Sequence, residues 1–442
     1  MIVELAAAAA IKLTYDWLKK APERVIKEKW DESLQNCRIE GIRNISNETF
    51  KITSIYTKDY GHICTVNIPD GLQYETLEKA KRVLEDNLNC ILEIDKGRFK
   101  EYITVKLVNK VLEFEYAPVE TRNNELFLGY KFDGSAYKLD LNKEAHILLA
   151  GKTGTGKSFL FASILTNLIY NNSKDVDVYL FQVMKGEIDI FKNCPSVRYT
   201  SDNLNDIAVM LKKLSDLIHK RSKQFSSVGI KNISQWNKHF PNKKMKRIII
   251  GAEEISFFMS EESQCFEHFT SIVKAGRSAG IHLITLTQRT TIANLPSELK
   301  AQMTVITAKQ RSELDSRNAI DIADAAYLEA QEFIASSNDG YIKFKAPTID
   351  EDFKLLNKYV PEIIIPNYKK SDIKDKPVMH GGWHIPNAQE WAQIKDTIPE
   401  VTYIKEEVLK PIGQLEAPRK NKDRKSGVIK LSEVYKDAEQ NR

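Results

Sequence analysis

Three features of the chain predict an α/β fold with a mainly parallel sheet. Short, near-continuous apolar runs recur from about residue 126 to 345: Ile147–Ala150, Val176–Val183, Ile248–Gly251, Ile281–Thr287, Thr304–Ala308 and Tyr341–Phe344. Such runs suit strands that are covered on both faces. Longer stretches at helical spacing separate them, as parallel crossovers require. A glycine-rich octapeptide, Gly151–Ser158, joins the first run to a helical pattern.

Taken in chain order, residues 1–28 are expected as an N-terminal helix that could lie next to a membrane. The apolar run Leu5–Ile11 is far shorter than the roughly 20 residues that cross a bilayer, and no basic region precedes it as a signal peptide would require. An alanine-rich helix ending near Pro22 is the plain reading. A surface anchor with Trp17, Lys19 and Lys20 at the interface is the alternative. Residues 29–122 mix alternating stretches (Thr49–Ile55 and Tyr102–Val108) with one helical stretch from Tyr74 to Leu88, and are expected as a small α+β domain. Residues 123–352 hold the apolar runs. Residues 353–442 are expected as a C-terminal extension, partly disordered, with a basic cluster of Arg419, Lys420, Lys422, Arg424 and Lys425.

Composition bounds the function classes. Of 442 residues, 42% are hydrophobic and 28% charged, which excludes a disordered chain, a collagen-like fibre and a multi-span membrane protein. Lys and Arg total 65 against 60 acids, a formal charge of +5. That excess argues for a polyanionic partner only if it is concentrated somewhere. The five cysteines are odd in number and form no C-x-x-C pair, so the chain is expected to be cytoplasmic. His380 and His384 frame two glycines, but no neighbouring ligands complete a metal set.

The octapeptide Gly151-Lys152-Thr153-Gly154-Thr155-Gly156-Lys157-Ser158 fits G-x-x-x-x-G-K-[ST]. It follows the strand Ile147–Ala150 and precedes Phe159, Leu160, Ile164, Leu165 and Leu168 at helical spacing, which is the context the motif needs. Its backbone N–H groups can cradle phosphate oxygens, and the helix N-terminus adds positive potential. Lys157 can reach the β- and γ-phosphates, and the Ser158 hydroxyl can ligand Mg²⁺. The strand Ile248–Gly251 ends in Glu253-Glu254. A phosphate-transferring site needs one acid beside Mg²⁺ and one to activate water. Glu253 is the expected metal ligand and Glu254 the expected base, both at the tip of a neighbouring strand.

Several segments then resemble one family in order. Ala145–Gly151 leads into the loop. Lys185-Gly186-Glu187 follows the second strand. Arg221, Phe225, Gly229, Asn232, Ile233 and Trp236 form a third segment. Gly276-Arg277-Ser278-Ala279-Gly280-Ile281-His282-Leu283, Thr287-Gln288-Arg289 and Asp315-Ser316-Arg317 complete the set. Together they resemble the FtsK/SpoIIIE-type DNA translocases, in the FtsK–HerA group of RecA-like motors. The resemblance covers about half the chain. It implies a RecA-like P-loop NTPase core and an ATP- and Mg²⁺-dependent ring, a homo-hexamer, that pumps double-stranded DNA without sequence preference. Gln288 is then expected to sense the γ-phosphate, and Arg277, Arg289 and Arg317 are candidates to reach across a subunit joint. Two departures from the family pattern stand out. Glu253 replaces the usual Asp, and Thr304–Thr307 carries no arginine. No winged-helix or multi-span domain is legible. The reading is therefore a coupling protein of Gram-positive conjugative elements, cytoplasmic or peripheral to the inner membrane face, with a relaxase and a transfer channel as partners. The short membrane segments usual in such proteins leave the alanine-rich start as a remnant or truncation of one. A chromosome-partition pump and an FtsK-type secretion ATPase acting on protein are the alternatives.

Overall fold

The computed structural model describes residues 21–183, 188–259, 263–288 and 296–366. The alanine-rich start, Lys185-Gly186-Glu187, Arg289, the His380/His384 pair and the basic cluster near residue 420 lie outside the described residues.

The first sheet is antiparallel, with strand order β1-β2-β4-β3. Its elements are α1 (Ala21–Asn36), β1 (Lys51–Lys58), β2 (Gly61–Asn67), α2 (Tyr74–Lys79), α3 (Lys81–Leu88), β3 (Ile91–Asp95) and β4 (Tyr102–Val108). Alternation in β4 puts Ile103, Val105 and Leu107 on one buried face, and a register shift between Ile52 and Ser54 lets Ile52 and Ile55 of β1 share it. Helix α1 runs from Ala21 through Asn36, across the boundary expected at residue 28. Its reason is packing: Trp30 and Leu34 are fully buried against this sheet, and the Trp30 indole N–H donates to the Phe50 carbonyl at 2.8 Å. The single helix expected over 74–88 is two, meeting at Ala80, whose N–H is shared among the carbonyls of Glu78, Leu77 and Thr76.

The second sheet has ten strands in the order β6-β5-β14-β13-β12-β7-β11-β10-β8-β9. Its elements begin with β5 (Glu125–Lys131), β6 (Ala136–Asp140), β7 (Ile147–Ala150), α4 (Lys157–Asn172), β8 (Val176–Phe181), β9 (Val197–Ser201), α5 (Leu204–Ser227), α6 (Ile233–His239) and β10 (Arg247–Ala252). They continue with α7 (Phe266–Ala279), β11 (Ile281–Thr287), α8 (Ser297–Lys300), β12 (Thr304–Thr307), α9 (Glu313–Ile320), β13 (Glu332–Ser337), β14 (Gly340–Lys345) and α10 (Lys354–Tyr359). Strands β12, β7, β11, β10, β8 and β9 are mutually parallel. The other four add on antiparallel, and β14 pairs with β13 in that sense rather than joining the parallel array. In β7, Ile147 and Leu149 face a cluster that includes α4, while Leu148 and Ala150 face one that includes α5 and α7. Both faces are covered, which is why these strands read as unbroken apolar runs. The packed structure runs past residue 352: Leu356, Val360 and Ile363 are buried in the α4 cluster.

A buried polar network sits where the parallel strands begin. Arg247 donates from Nη1 to His282 Nε2 at 2.9 Å, and from Nη2 to Asn142 Oδ1 at 2.7 Å and Ser234 Oγ at 2.8 Å. His282 Nδ1 therefore carries the proton and donates to the Ala145 carbonyl at 3.0 Å. Leu283 N–H donates to His146 Nδ1 at 3.1 Å. Burial pushes the His146 imidazole down to about 4, with the Val273 carbonyl offsetting part of the effect. His282 lies well below its usual range, from burial first and then from the nearby Arg247 and His146.

The two sheets are joined by ion pairs. Asp324 receives Arg82 of α3 at 3.6 Å and Lys343 of β14 at 3.0 Å. Lys106 of β4 meets Asp133 at 2.5 Å. Among the described residues no helix is long and apolar enough to cross a membrane.

Candidate nucleotide site

The site lies at the carboxyl ends of the parallel strands, where open α/β sheets place their ligands. Strand β7 feeds directly into the Gly151–Ser158 loop, which turns into α4. Two glycines are required by geometry. Gly151 has φ +144°, and a Cβ there would stand 2.9 Å from Ala308 Cβ. Gly156 caps α4 at φ +94°, a conformation that side chains resist. Thr155 Oγ1 closes the loop by donating to the Lys152 carbonyl at 2.7 Å. Lys157 is nearly buried and donates to the carbonyls of Gly151 at 2.5 Å and Lys152 at 2.8 Å.

The acids arrive from β10, which is not adjacent to β7 as the sequence suggested. Strand β11 runs between them, pairing with both. Glu253 is buried, and its N–H donates to the Phe181 carbonyl at 2.9 Å. Glu254 stands at φ +51°, ψ 84°, a left-handed conformation uncommon outside glycine. Its carboxylate links two strand ends. Oε1 accepts from Ser256 Oγ at 3.0 Å and Thr287 Oγ1 at 3.3 Å, and Oε2 accepts from Gln288 N–H at 3.3 Å. The strained backbone is thus held by contacts on both sides, as strained residues at functional sites are.

One cavity of about 540 Å³ brings these groups together. Thr153 to Phe159 form one wall; Glu253, Glu254, Thr287 and Gln288 form another. That size falls within the range of small-molecule sites. Gln331, Glu351 and Phe353 also line it, and no motif in the sequence marked them. Gln331 and Phe353 stand at positive φ, +63° and +57°, which is a structural trait invisible in the residue string.

The candidate arginines are elsewhere in the same chain. Arg277 lines a separate cavity of about 680 Å³ with Lys143, Glu144, His146 and Lys300. Arg317 is exposed on α9 and pairs with Glu313 at 3.5 Å. Arg221, read only as part of a motif, is buried and acts on carbonyls. It donates to Ala279 O at 2.6 Å and Lys246 O at 2.9 Å, and burial lowers its pKa.

Residues 108–265 match the model of the FtsK/SpoIIIE family. Among curated relatives, DNA translocase FtsK of Caldanaerobacter subterraneus subsp. tengcongensis is 28% identical over 206 residues, covering 46% of this chain and 29% of that protein. DNA translocase SftA of Bacillus subtilis is 29% identical over 209 residues, covering 46% and 22%. The chain thus spans under a third of the length of these FtsK/SpoIIIE relatives. Among solved structures, the pCW3 conjugation coupling protein TcpA, in its monomer form with ATPγS, superposes with a TM-score of 0.53 at 21% identity. That match covers 76% of this chain and 99% of the other, and it shows a shared α/β P-loop NTPase fold.

Proposed function

We propose that this chain is an ATP-driven DNA translocase that moves DNA during conjugative transfer of a plasmid or integrative element. The observation that carries the reading is the single cavity bounded on one side by the phosphate loop and on the other by Glu253 and Glu254. The named relatives are DNA translocases, and the coupling-protein fold extends over three quarters of the chain.

The chemistry follows from the residues present. Backbone N–H groups of Thr153–Ser158 and the start of α4 receive the phosphates. Lys157 exchanges its two loop carbonyls for phosphate oxygens. Among the described residues no cluster of His, Cys, Asp and Glu could hold a metal alone. Mg²⁺ takes one or two protein oxygens and completes its shell with phosphate and water. Ser158 and Glu253 would hold it; glutamate in place of the family's aspartate adds one methylene of reach. When bound, the ion neutralises charge developing on the phosphates. Glu254 orients and deprotonates the attacking water. Its bonds to Thr287 and Gln288 give the end of β11 a direct link to the reacting phosphate. Arg277 and Arg317 reach a nucleotide only from a neighbouring subunit, which requires a ring; a homo-hexamer is the expected form.

The test is ATP turnover with linear duplex, with single strand and without nucleic acid, together with the mass of the assembly. Duplex should accelerate turnover. Lys157→Ala should abolish it while sparing the fold. Glu254→Gln should slow hydrolysis and retain ATP binding. Turnover surviving Lys157→Ala would sink the site assignment.

A further inference from the structure

The modest net charge hides a concentrated one. From Leu217 to Ala252 the chain carries nine lysines and arginines and no Asp or Glu. Elsewhere 56 basic residues face 60 acidic ones, so the whole positive excess resides in this stretch. It comprises the end of α5, α6 and the entry to β10.

Three of the nine cations are used internally. Arg221 caps carbonyls, Arg247 anchors the buried network, and Lys246 pairs with Asp177 at 3.1 Å. Lys220, Lys223, Lys231, Lys238, Lys243 and Lys244 are all exposed, and none is in an ion pair among the described residues. Helix dipoles favour cations near the ends of α5 and α6 and so account for Lys223 and Lys238. They do not account for Lys231, Lys243 and Lys244, which lie in the connections.

The backbone beneath these lysines is fixed. Trp236 packs between Phe225 and Phe240, with centroids 5.6 and 4.6 Å away, and its indole N–H donates to the Lys243 carbonyl at 2.8 Å. Asn237 grips Met245 through both its amide groups, at 2.9 and 2.8 Å. A partner would therefore have little chain to order on binding.

We propose that this corner docks the sugar–phosphate backbone of duplex DNA, outside the nucleotide cavity and without sequence preference. The inference rests on the DNA reading above and gives it a location. Lysine supplies compact point charges for phosphates rather than the planar fork that reads bases. Val228, 49% exposed, is the one large apolar side chain here that is exposed; a membrane-seated surface would present several, with aromatics. The six residues of β10 span about 20 Å, which separates the corner from Glu253 and Glu254.

The test uses the full chain without nucleotide and a fluorescent 40-base-pair duplex in two unrelated sequences. Affinity is measured between 50 and 200 mM salt for wild type, the quadruple variant Lys231→Ser, Lys238→Ser, Lys243→Ser and Lys244→Ser, and the corresponding quadruple Lys→Arg variant. Each phosphate contact contributes about 0.9 to the slope of log affinity against log salt. Over this range the wild type should therefore lose about a hundredfold more affinity than the serine variant. The arginine variant should keep the wild-type slope, both sequences should behave alike, and DNA-free ATP turnover should be unchanged. Equal slopes for wild type and serine variant overturn this inference and leave the motor reading standing. No duplex binding by wild type overturns both. A serine variant that loses binding to phosphatidylserine vesicles but not to duplex overturns the choice of partner.

Discussion

The paired histidines at the base of the strands make stability depend on pH in a window set by their burial. An unfolded histidine titrates near 6.5, whereas folded His146 titrates near 4. Between these values the unfolded chain binds a proton that the folded chain refuses, so stability falls as pH drops. From pH 7 to pH 5 the unfolded state gains about 2 kcal/mol through this one group, since each unit of difference is worth about 1.4 kcal/mol. His282 is displaced in the same direction and adds to the loss. Ordinary carboxylates titrate below this window and contribute little within it. The assay is urea unfolding by tryptophan fluorescence at pH 7, 6 and 5, for wild type and for His146→Asn. The asparagine carbonyl can take over the bond from Leu283 N–H but has no proton to bind. The variant should lose about 2 kcal/mol of the wild-type pH dependence. Identical pH slopes in the two proteins would refute the burial argument.

Two further substitutions test the packing that positions the nucleotide site. Gly251→Ala places a methyl 2.7 Å from Phe161 Cζ and 2.9 Å from Leu180 Cδ2, between β10 and α4; thermal unfolding should show a loss of about 1–3 kcal/mol. Arg221→Met removes the donor to the buried Ala279 carbonyl and to the part-buried Lys246 carbonyl, and chemical denaturation should show a loss of about 1–3 kcal/mol, chiefly from the first. Thermal unfolding should show Gly156→Ala about 1–3 kcal/mol less stable, because alanine is strained at φ +94°.

Much of the parallel sheet was legible because its strands are buried on both faces. Ile281–Thr287 was read to the residue, and Ile147–Ala150 likewise. Strand β9 escaped because Val-Arg-Tyr-Thr-Ser is a half-buried edge without an apolar run. Strand β13, with polar residues at both ends, escaped for a similar reason, and nothing local in Tyr341–Phe344 distinguishes a parallel from an antiparallel partner. In the site, the phosphate loop and the acid pair announce themselves by residue type and spacing. Gln331, Glu351 and Phe353 reach the cavity through long-range folding that leaves no local trace. The basic corner was visible in the string as an absence of acids, but its meaning depended on knowing which cations the interior consumes.

Asp324 belongs to the ten-stranded sheet's periphery yet is held from two sides, by Lys343 within that sheet and by Arg82 from the N-terminal one. Helix α9 is bound into the same cluster, because its Glu313 meets Arg82 at 4.0 Å and accepts from the Tyr327 hydroxyl. A displacement of α9 must therefore either carry the N-terminal sheet along as a lever arm or part these half-exposed pairs. Salt weakens such pairs, so raising ionic strength should uncouple the lever before it melts either sheet.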